Sequence, residues 1–391
     1  MKNSMNRREW IRTSTLLGGT LALSGSLQKL AAAPIVVKKT ANSFQSQREI
    51  EESMAREWPN LKARLFANEN PFGPSEKAKK AIEEALPTSY QYPIVHIDKL
   101  TKMIADQEGV KPEQVMLSAG SSSLLHASAI FFSKNGGSVI SGDPSYDDLP
   151  RKAETLHAKW IKVPLTADHK LDLPAMEKAI SADTTLMYLC NPNNPTGTVV
   201  ETGQLKSFCE RVSKKVTVFI DEAYIDYLDD PHGSSLLECV RNGQNVIVAR
   251  TFSKLHGFAG LRVGYIISQP ETIKVLQPYA TGPVSISTTS LQAALASYPD
   301  KEYLAEALRK TKESKEYLYT VLKREGYSYI PSVANFVMFP LAMDAERFVQ
   351  EMMKRGVGVR PWKYNGKEWC RVSIGRMDEM KYFEEAFKQL S

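Results

Sequence analysis

The chain has 391 residues, 42% of them apolar and 24% charged, with a formal net charge of +6; that length allows two domains, and that balance belongs to a globular protein rather than a disordered one. Five basic residues (Lys2, Arg7, Arg8, Arg12 and Lys29) against one acid, Glu9, put most of the positive excess into the first 33 positions. The remainder is close to neutral, which argues against a nucleic-acid partner.

The chain opens on Asn6-Arg7-Arg8-Glu9-Trp10-Ile11-Arg12. A mildly apolar stretch from Leu16 to Leu23 follows, and then Ala31-Ala32-Ala33-Pro34, a small-residue cleavage site. The order is similar to that of a twin-arginine export signal over residues 1–33, which implies a periplasmic or exported protein; without such a signal the expectation is cytoplasmic. The apolar run falls far short of the ~20 residues that span a bilayer, and no other stretch is a membrane candidate. Residues 34–68 are expected to form an N-terminal arm that joins a smaller domain.

From about residue 110 to 267, short β-branched or apolar runs alternate with amphipathic ones. Runs at 115–117, 138–140, 185–189, 216–220, 245–248 and 263–267 read as strands, with helices near 122–132, 147–157, 172–181 and 201–214 between the earlier ones. Such alternation specifies an α/β domain, here 69–283, whose sheet is largely parallel and covered on both faces. After Pro283 come Lys/Glu/Leu-rich helices over 287–325, a β-type region from Ser328 to Met338 and a helix near 344–355. Strands at 358–360 and 371–374 and a last helix from Asp378 complete a smaller α+β domain over 284–391. Cys190, Cys209, Cys239 and Cys370 show neither CxxC nor metal-type spacing, so no metal site is expected, and buried thiols are expected over a disulfide.

The residues that carry chemistry lie at the carboxyl ends of these strands, where open α/β sheets gather ligands. Ser118-Ala119-Gly120-Ser121-Ser122-Ser123 leaves a strand and opens a helix, a place where small residues, hydroxyls and a helix amino terminus receive a phosphate. Tyr146, after Asp143-Pro144-Ser145, is placed to stack on a flat ring. The rigid loop Asn191-Pro192-Asn193-Asn194-Pro195-Thr196-Gly197 presents the Asn194 amide to a phenolic oxygen. Asp221, ending an apolar run, suits a protonated pyridine nitrogen, with Tyr224 three residues on able to reach the ring hydroxyl. In Thr251-Phe252-Ser253-Lys254, followed by Ala259-Gly260-Leu261-Arg262, a lysine after a strand supplies an imine-forming amine, and Ser253 and Arg262 are donors for a phosphate dianion. Arg371, and with it Arg360, offers a grip for a substrate carboxylate. The combination points to pyridoxal 5'-phosphate (PLP), with Lys254, Asp221 and Tyr224 as its catalytic residues.

Together these motifs resemble the fold-type I PLP-dependent aminotransferases of class I/II, within them the histidinol-phosphate aminotransferase branch. The resemblance spans roughly Leu65 to Arg376, through Ala67-Asn68-Glu69-Asn70-Pro71-Phe72-Gly73-Pro74, Gln91-Tyr92-Pro93, the Asn-Pro-Thr-Gly loop, Asp221-Glu222-Ala223-Tyr224, Ser253-Lys254, Arg262 and Arg371. It implies a large domain with a mostly parallel seven-stranded sheet between helices, a smaller α+β domain, and a homodimer in which Tyr92 reaches the partner's cofactor phosphate. It implies further that Gly120, Ser121, Ser122, Ser253 and Arg262 hold the phosphate, Tyr146 stacks, Asn194 and Tyr224 contact the ring oxygen, Asp221 pairs with the ring nitrogen and Arg371 meets the substrate. Two departures, His256-Gly257 and Pro361-Trp362 after Arg360, are expected near the substrate pocket.

The reaction so implied moves an amino group between an amino acid or related amine, histidinol phosphate among the candidates, and a 2-oxo acid, in two half-reactions through a Lys254 imine. Decarboxylation and carbon–sulfur elimination on the same scaffold, and a non-catalytic binding protein, are alternatives that these residues leave open. A nicotinamide dehydrogenase is disfavoured, since no GxGxxG turn follows an early strand.

Overall fold

In the computed structural model, which describes residues 47–58 and 60–390, the chain starts with helix α1 (Gln47–Glu57) and the two-residue strand β1 (Ala63–Arg64). The export-signal segment lies outside the described residues. Helices α2 (Glu76–Ala85) and α3 (Ile94–Glu108) lead into the alternating region: β2 (Val115–Ser118), α4 (Ser121–Ser133), β3 (Ser138–Asp143), α5 (Asp148–Glu154), β4 (Lys159–Pro164) and α6 (Leu173–Lys178). It continues through β5 (Thr184–Cys190), α7 (Thr202–Val212), β6 (Thr217–Asp221), the short helices α8 (Pro231–Ser234) and α9 (Leu237–Arg241), β7 (Val246–Thr251), β8 (Gly264–Ile267) and α10 (Pro270–Leu276).

The seven strands β2 to β8 form one sheet in the order β2-β8-β7-β6-β5-β3-β4, parallel except for β8, which runs against both its neighbours. Its central strands are buried on both faces, so they read as unbroken apolar runs. Met187, Leu189, Val218, Ile220 and Val248 pack into one core, while the alternate residues Leu186, Tyr188, Phe219, Ile247 and Ala249 pack into another on the opposite face. Strand β4 was not anticipated. It is a sheet edge with Lys159 and Lys162 on its exposed positions, and such charges guard an edge while masking the strand's apolar signal.

The chain continues with α11 (Thr288–Ser297), α12 (Lys301–Arg324), β9 (Phe336–Leu341), α13 (Ala345–Lys354), β10 (Val357–Gly358), β11 (Arg360–Tyr364), β12 (Lys367–Ser373) and α14 (Met377–Phe387). Strands β11-β12-β9 make a small antiparallel sheet. The β-type region expected from Ser328 reduces, before β9, to one bridge between Ile330 and Met338.

Two observations locate the change from one core to the other. Leu291, Ala294 and Tyr298 still belong to the large sheet's core, so that core runs past the expected boundary at 283/284. Helix α12 then carries the chain across, with Ala307 packed near Tyr224 and Leu255 and Leu318 in the core of the small sheet. The amino-terminal segment closes onto the same small core, where Met54, Leu65 and Phe66 pack with Phe339, Phe348 and Phe383, and β1 pairs parallel with β10 through Ala63 and Val357. Among the described residues no helix is long and apolar enough to cross a membrane. The four cysteines are buried thiols.

Candidate active site

The carboxyl ends of β2, β3, β5, β6 and β7 open onto one cleft of about 320 Å³. Each strand hands over its side chain as it leaves the sheet: Ser121 and Ser122 after β2, Tyr146 after β3, Asn194 after β5, Asp221 as the last residue of β6, and Ser253 and Lys254 after β7. Arg262, in the loop before β8, completes this wall.

Lys254 is half-buried, with Nζ 3.3 Å from the Asn68 carbonyl oxygen, to which it donates, and 5.4 Å from the centre of the Tyr224 ring. Burial lowers its pKa from the ordinary lysine value, opposed by Glu51 and reinforced by Arg371. A lysine desolvated in this way spends more of its time as the neutral amine, the form that attacks a carbonyl.

Asp221 is 3% exposed. Its Oδ2 accepts from the Tyr188 hydroxyl at 3.1 Å and its Oδ1 from the Ala223 amide at 3.1 Å, yet it forms no salt bridge among the described residues. Burial therefore raises its pKa to about 6, with those two hydrogen bonds pulling the other way. The following residue, Glu222, is fixed by Arg250 at 3.0 Å, by Ser235 and by the Leu236 amide, and Arg250 also pairs with Glu108 at 2.7 Å. That lattice holds the end of β6 rigid. A buried carboxylate that lacks its own cation, at the floor of a cleft, fits a protonated ring nitrogen.

The opposite end of the cleft fits a phosphate. Gly120 has φ +79°, and a Cβ there would fall on the Arg262 guanidinium. Gly264 is equally constrained, because a Cβ on it would press on the Ser121 amide nitrogen. The absence of both side chains lets the amino terminus of α4, Arg262 and Ser253 converge. Arg262 Nη1 donates to Ser253 Oγ at 3.2 Å and to the Ala259 carbonyl at 3.0 Å, and Ser253 also accepts from Thr251 Oγ1 at 2.9 Å. Helix dipole, hydroxyls and guanidinium make an anion cup. With a lysine amine, a carboxylate for a ring nitrogen and a phosphate cup in one cleft, the residues present fit PLP.

Tyr224, buried, accepts from Asn68 Nδ2 at 3.0 Å through its hydroxyl, and burial raises its pKa. Asn194 accepts from Arg371 Nη1 through Oδ1 at 2.7 Å. Its oxygen committed, the amide nitrogen is left as the donor for the cleft. Arg371 Nη2 donates to the Phe66 carbonyl at 2.6 Å. Arg360 and Arg371 pair across β11 and β12, both side chains are fully buried, and both lie within 3.3 Å of Glu51 Oε1 on α1. Burial draws the Arg360 guanidinium down to about 10, against the pull of Glu51, so it stays charged at neutral pH.

Tyr92 is not brought to this cleft. It is 84% exposed in the turn before α3, next to Tyr90, equally exposed. Of the two sequence departures, His256 and Trp362 lie away from the cleft, contrary to expectation, while Gly257 lines a neighbouring cavity with Arg64, Glu69 and Ala259. His256 is buried, 2.9 Å from Ser297 Oγ, and packs on Phe252 with ring centres 4.6 Å apart; it lines a second cavity with Glu108 and Arg250 on the other side of β7. Gly257 packs against the backbone of Gly73, and Trp362 sits in a separate cluster with Ile330, Met338 and Trp369. His256 and Trp362 are drawn into aromatic and apolar surroundings, whereas Gly257, at φ +77°, is placed by a close backbone approach that leaves no room for a side chain. The residues that sequence reasoning missed are Glu51, Glu52, Arg64 and Glu69, all lining the cleft, and Asn68, which bonds both Tyr224 and Lys254. Asn68 and Glu69 carried a signal, since both stand in the quoted Ala67–Pro74 stretch; Glu51, Glu52 and Arg64 carried none.

Comparison with known proteins adds four findings. Residues 62–387 match the family described as aminotransferase class I and II. Among curated proteins, a histidinol-phosphate aminotransferase of Moorella thermoacetica is 35% identical over 329 residues, covering 84% of this chain and 85% of its own. An aromatic amino acid aminotransferase of Cutibacterium acnes is 36% identical over 330 residues, covering 83% and 92%. Among solved structures, histidinol-phosphate aminotransferase from Sinorhizobium meliloti in complex with pyridoxal-5'-phosphate superposes with a TM-score of 0.81 at 24% identity, covering 94% of this chain and 100% of the other.

Proposed function

The chain belongs to the class I and II aminotransferases, and from that membership we propose that it moves an amino group between an amino acid or related amine and a 2-oxo acid, with PLP held through Lys254. The observation that carries this reading is the convergence of a desolvated lysine amine, a buried cation-less carboxylate and an anion cup in one cleft.

PLP, when bound, supplies a carbonyl carbon that takes an amine covalently and a ring that accepts the electron pair released at the donor's α-carbon. The chain does the rest. Ser121, Ser122, Ser253, Arg262 and the amino terminus of α4 would hold the phosphate, and Tyr146 would cover the ring. Asp221 would keep the ring nitrogen protonated, while Asn194 and Tyr224 would donate to the ring oxygen. Lys254 would hold the cofactor through Nζ and, with that nitrogen free and neutral, would be the base that takes up the donor's α-proton and hands it on. Arg371 would orient the donor, and the same groups would serve the 2-oxo acid in the reverse direction.

The test is the absorption spectrum of the purified protein with PLP. A visible band removed by borohydride and absent from Lys254→Ala, bleached by an amino donor and restored by a 2-oxo acid, is the expected result. Release of CO₂ or of a thiol without any acceptor would favour a decarboxylase or lyase instead, and a protein that takes up no PLP would leave a binding role. The names of the relatives suggest histidinol phosphate and aromatic amino acids as donors to try first.

The homodimer reading is supported by a run in sequence of exposed apolar side chains, Leu86, Tyr90, Tyr92, Ile94 and Val95, which a partner subunit would cover; Tyr92 would then face the partner's phosphate. Sedimentation at micromolar concentration tests it. Export through the twin-arginine route rests on the order of Arg7-Arg8, the apolar run and Ala31-Ala32-Ala33. Cell fractionation of wild type against a variant with Lys at both Arg7 and Arg8 tests that.

A further inference from the structure

The segment Ser332-Val333-Ala334-Asn335, which leads into β9, is fastened on several sides. The Val333 amide donates to the Gly197 carbonyl at 2.9 Å, at the end of the Asn194 loop. Lys315 Nζ on α12 donates to the Ser332 and Ala334 carbonyls at 2.8 and 3.1 Å. Asn335 comes next, 1% exposed, and its backbone carbonyl accepts from the Ile374 amide at 2.8 Å.

The Asn335 side chain is used at one end only. Its Nδ2 donates to the Asn68 carbonyl at 3.1 Å and to the Glu69 carbonyl at 3.3 Å, while Oδ1 is buried and has no hydrogen-bond partner among the described residues. Both acceptors are carbonyls, so the nitrogen must be the atom that faces them. A bare buried oxygen is a cost that an apolar residue would avoid, which leaves the two donated bonds as the reason for an asparagine here.

The Asn68 carbonyl is also where Lys254 rests. Lys254 Nζ makes its one hydrogen bond among the described residues to that oxygen, at 3.3 Å. A carbonyl oxygen has two lone pairs; Asn335 takes one and Lys254 the other. Asn68 stands at φ +52°, in the left-handed region that asparagine tolerates rather than prefers, so the direction of its carbonyl depends on what the surrounding groups impose. Asn335 clamps that carbonyl and the next one on a single nitrogen. It is not among the residues that line the cleft, and so it acts on Lys254 through Asn68.

We propose that Asn335 is a positioning residue for the proton transfer: by holding the Asn68 carbonyl it sets where the free Lys254 Nζ stands, and so its distance from the α-proton it would move. The inference rests on the aminotransferase reading and deepens it, adding a residue outside the cleft to the machinery of the lysine. Such geometry is felt in the chemical step rather than in binding, where a displacement of about 1 Å costs roughly a hundredfold in rate.

Two variants remove the donor, Asn335→Ala and Asn335→Leu, the second leaving no room for a water in its place. Lys315→Met is the control, since it strips two bonds from the same segment without reaching Asn68. In the PLP-loaded full chain, with phenylalanine and its α-deuterated form as donors, both Asn335 variants should lose about tenfold to a hundredfold in kcat. KM and the PLP dissociation constant should stay close to wild type, and the deuterium isotope effect should grow. Lys315→Met should lower the urea midpoint and leave kcat and the isotope effect near wild type. In the PLP-free chain, labelling of Lys254 by trinitrobenzenesulfonate, followed by peptide mass spectrometry, should be several-fold faster in the Asn335 variants, because a lysine without its acceptor is more often neutral. An unchanged isotope effect and labelling rate, a loss confined to KM or PLP affinity, or an equal effect of Lys315→Met would make Asn335 structural and overturn the proposal, as would loss of the fold in both Asn335 variants. Failure of the aminotransferase reading shows differently: wild type turns over no donor, while the labelling of Lys254 still reports on Asn335.

Discussion

Arg371 holds Asn194 by its amide oxygen, Nη1 to Oδ1 at 2.7 Å, and in doing so turns the Asn194 nitrogen to the cleft. On the function proposed above, one guanidinium would serve two ligands at once, the donor directly and the cofactor through the asparagine it orients.

Arg371→Lys is therefore expected to harm more than substrate binding. A single ammonium cannot bond Asn194, the Phe66 carbonyl and a carboxylate together. For a carboxylate donor, kcat/KM should fall by ~10²–10³, the usual result of breaking a buried charge pair, and the absorption band of bound PLP should shift as Asn194 swings. A rise in KM with an unmoved spectrum would separate the two roles and contradict the coupling.

Gly120→Ala tests the anion cup. The new Cβ falls on the Arg262 guanidinium, and a residue at φ +79° is strained with any side chain. Displacing one charge-assisted donor costs about 1.5–3 kcal/mol, so PLP should dissociate at roughly tenfold to a hundredfold higher concentration. Equilibrium dialysis of PLP reads this, and retention at the wild-type level would show that Arg262 is not a phosphate ligand.

Two buried groups bend the pH dependence of PLP-free stability in opposite directions. The Asp221 carboxyl is raised to about 6 by burial, above the ~3.9 of an unfolded chain. Its contribution is present below pH ~4 and lost as pH rises through 6, up to about 3 kcal/mol for a two-unit shift. Asp221→Asn, which keeps an acceptor for Tyr188, should therefore make the PLP-free chain more stable at pH 7 while abolishing amino transfer. Urea unfolding at pH 5 and pH 7 measures it; a less stable variant at pH 7 would mean that the carboxylate already has a cation.

His256 works the other way. Burial lowers it to about 4, below the ~6.5 of an unfolded histidine, so its contribution is present above pH ~6.5 and lost as pH falls through 4, again by about 3 kcal/mol. His256→Gln, which can keep the bond to Ser297, should flatten the acid limb of the unfolding curve. An acid limb identical to that of wild type would assign the loss to other groups.

The parts of the site that could be read from the sequence are those that depend on strand ends. Asp221 closes an apolar run, Lys254 follows another, and Gly120 opens a helix; each carries its chemistry within a few residues of the signal that places it. Glu51 had no such mark, since Gln47–Glu57 reads as any amphipathic helix and its meaning comes from β11 and β12, over 300 residues away. His256 was misplaced for a related reason. Its neighbours in sequence are Lys254 and Leu255, but its neighbours in space are Phe252, Ser297 and Tyr298. Edge strand β4 was lost because its lysines hide its alternation.

The pairing of β1 with β10 also orders events in time. Asn68, which bonds both Tyr224 and Lys254, is itself tied to Ser373 at a separation of 305 residues. A ribosome delivers the first of these early and the second almost last, so the wall over Lys254 cannot close until synthesis is nearly finished. A nascent or truncated chain ending before β12 would own every strand-end residue of the cleft and still leave it open to water, and the finished site thereby acts as a check on the length of the chain that bears it.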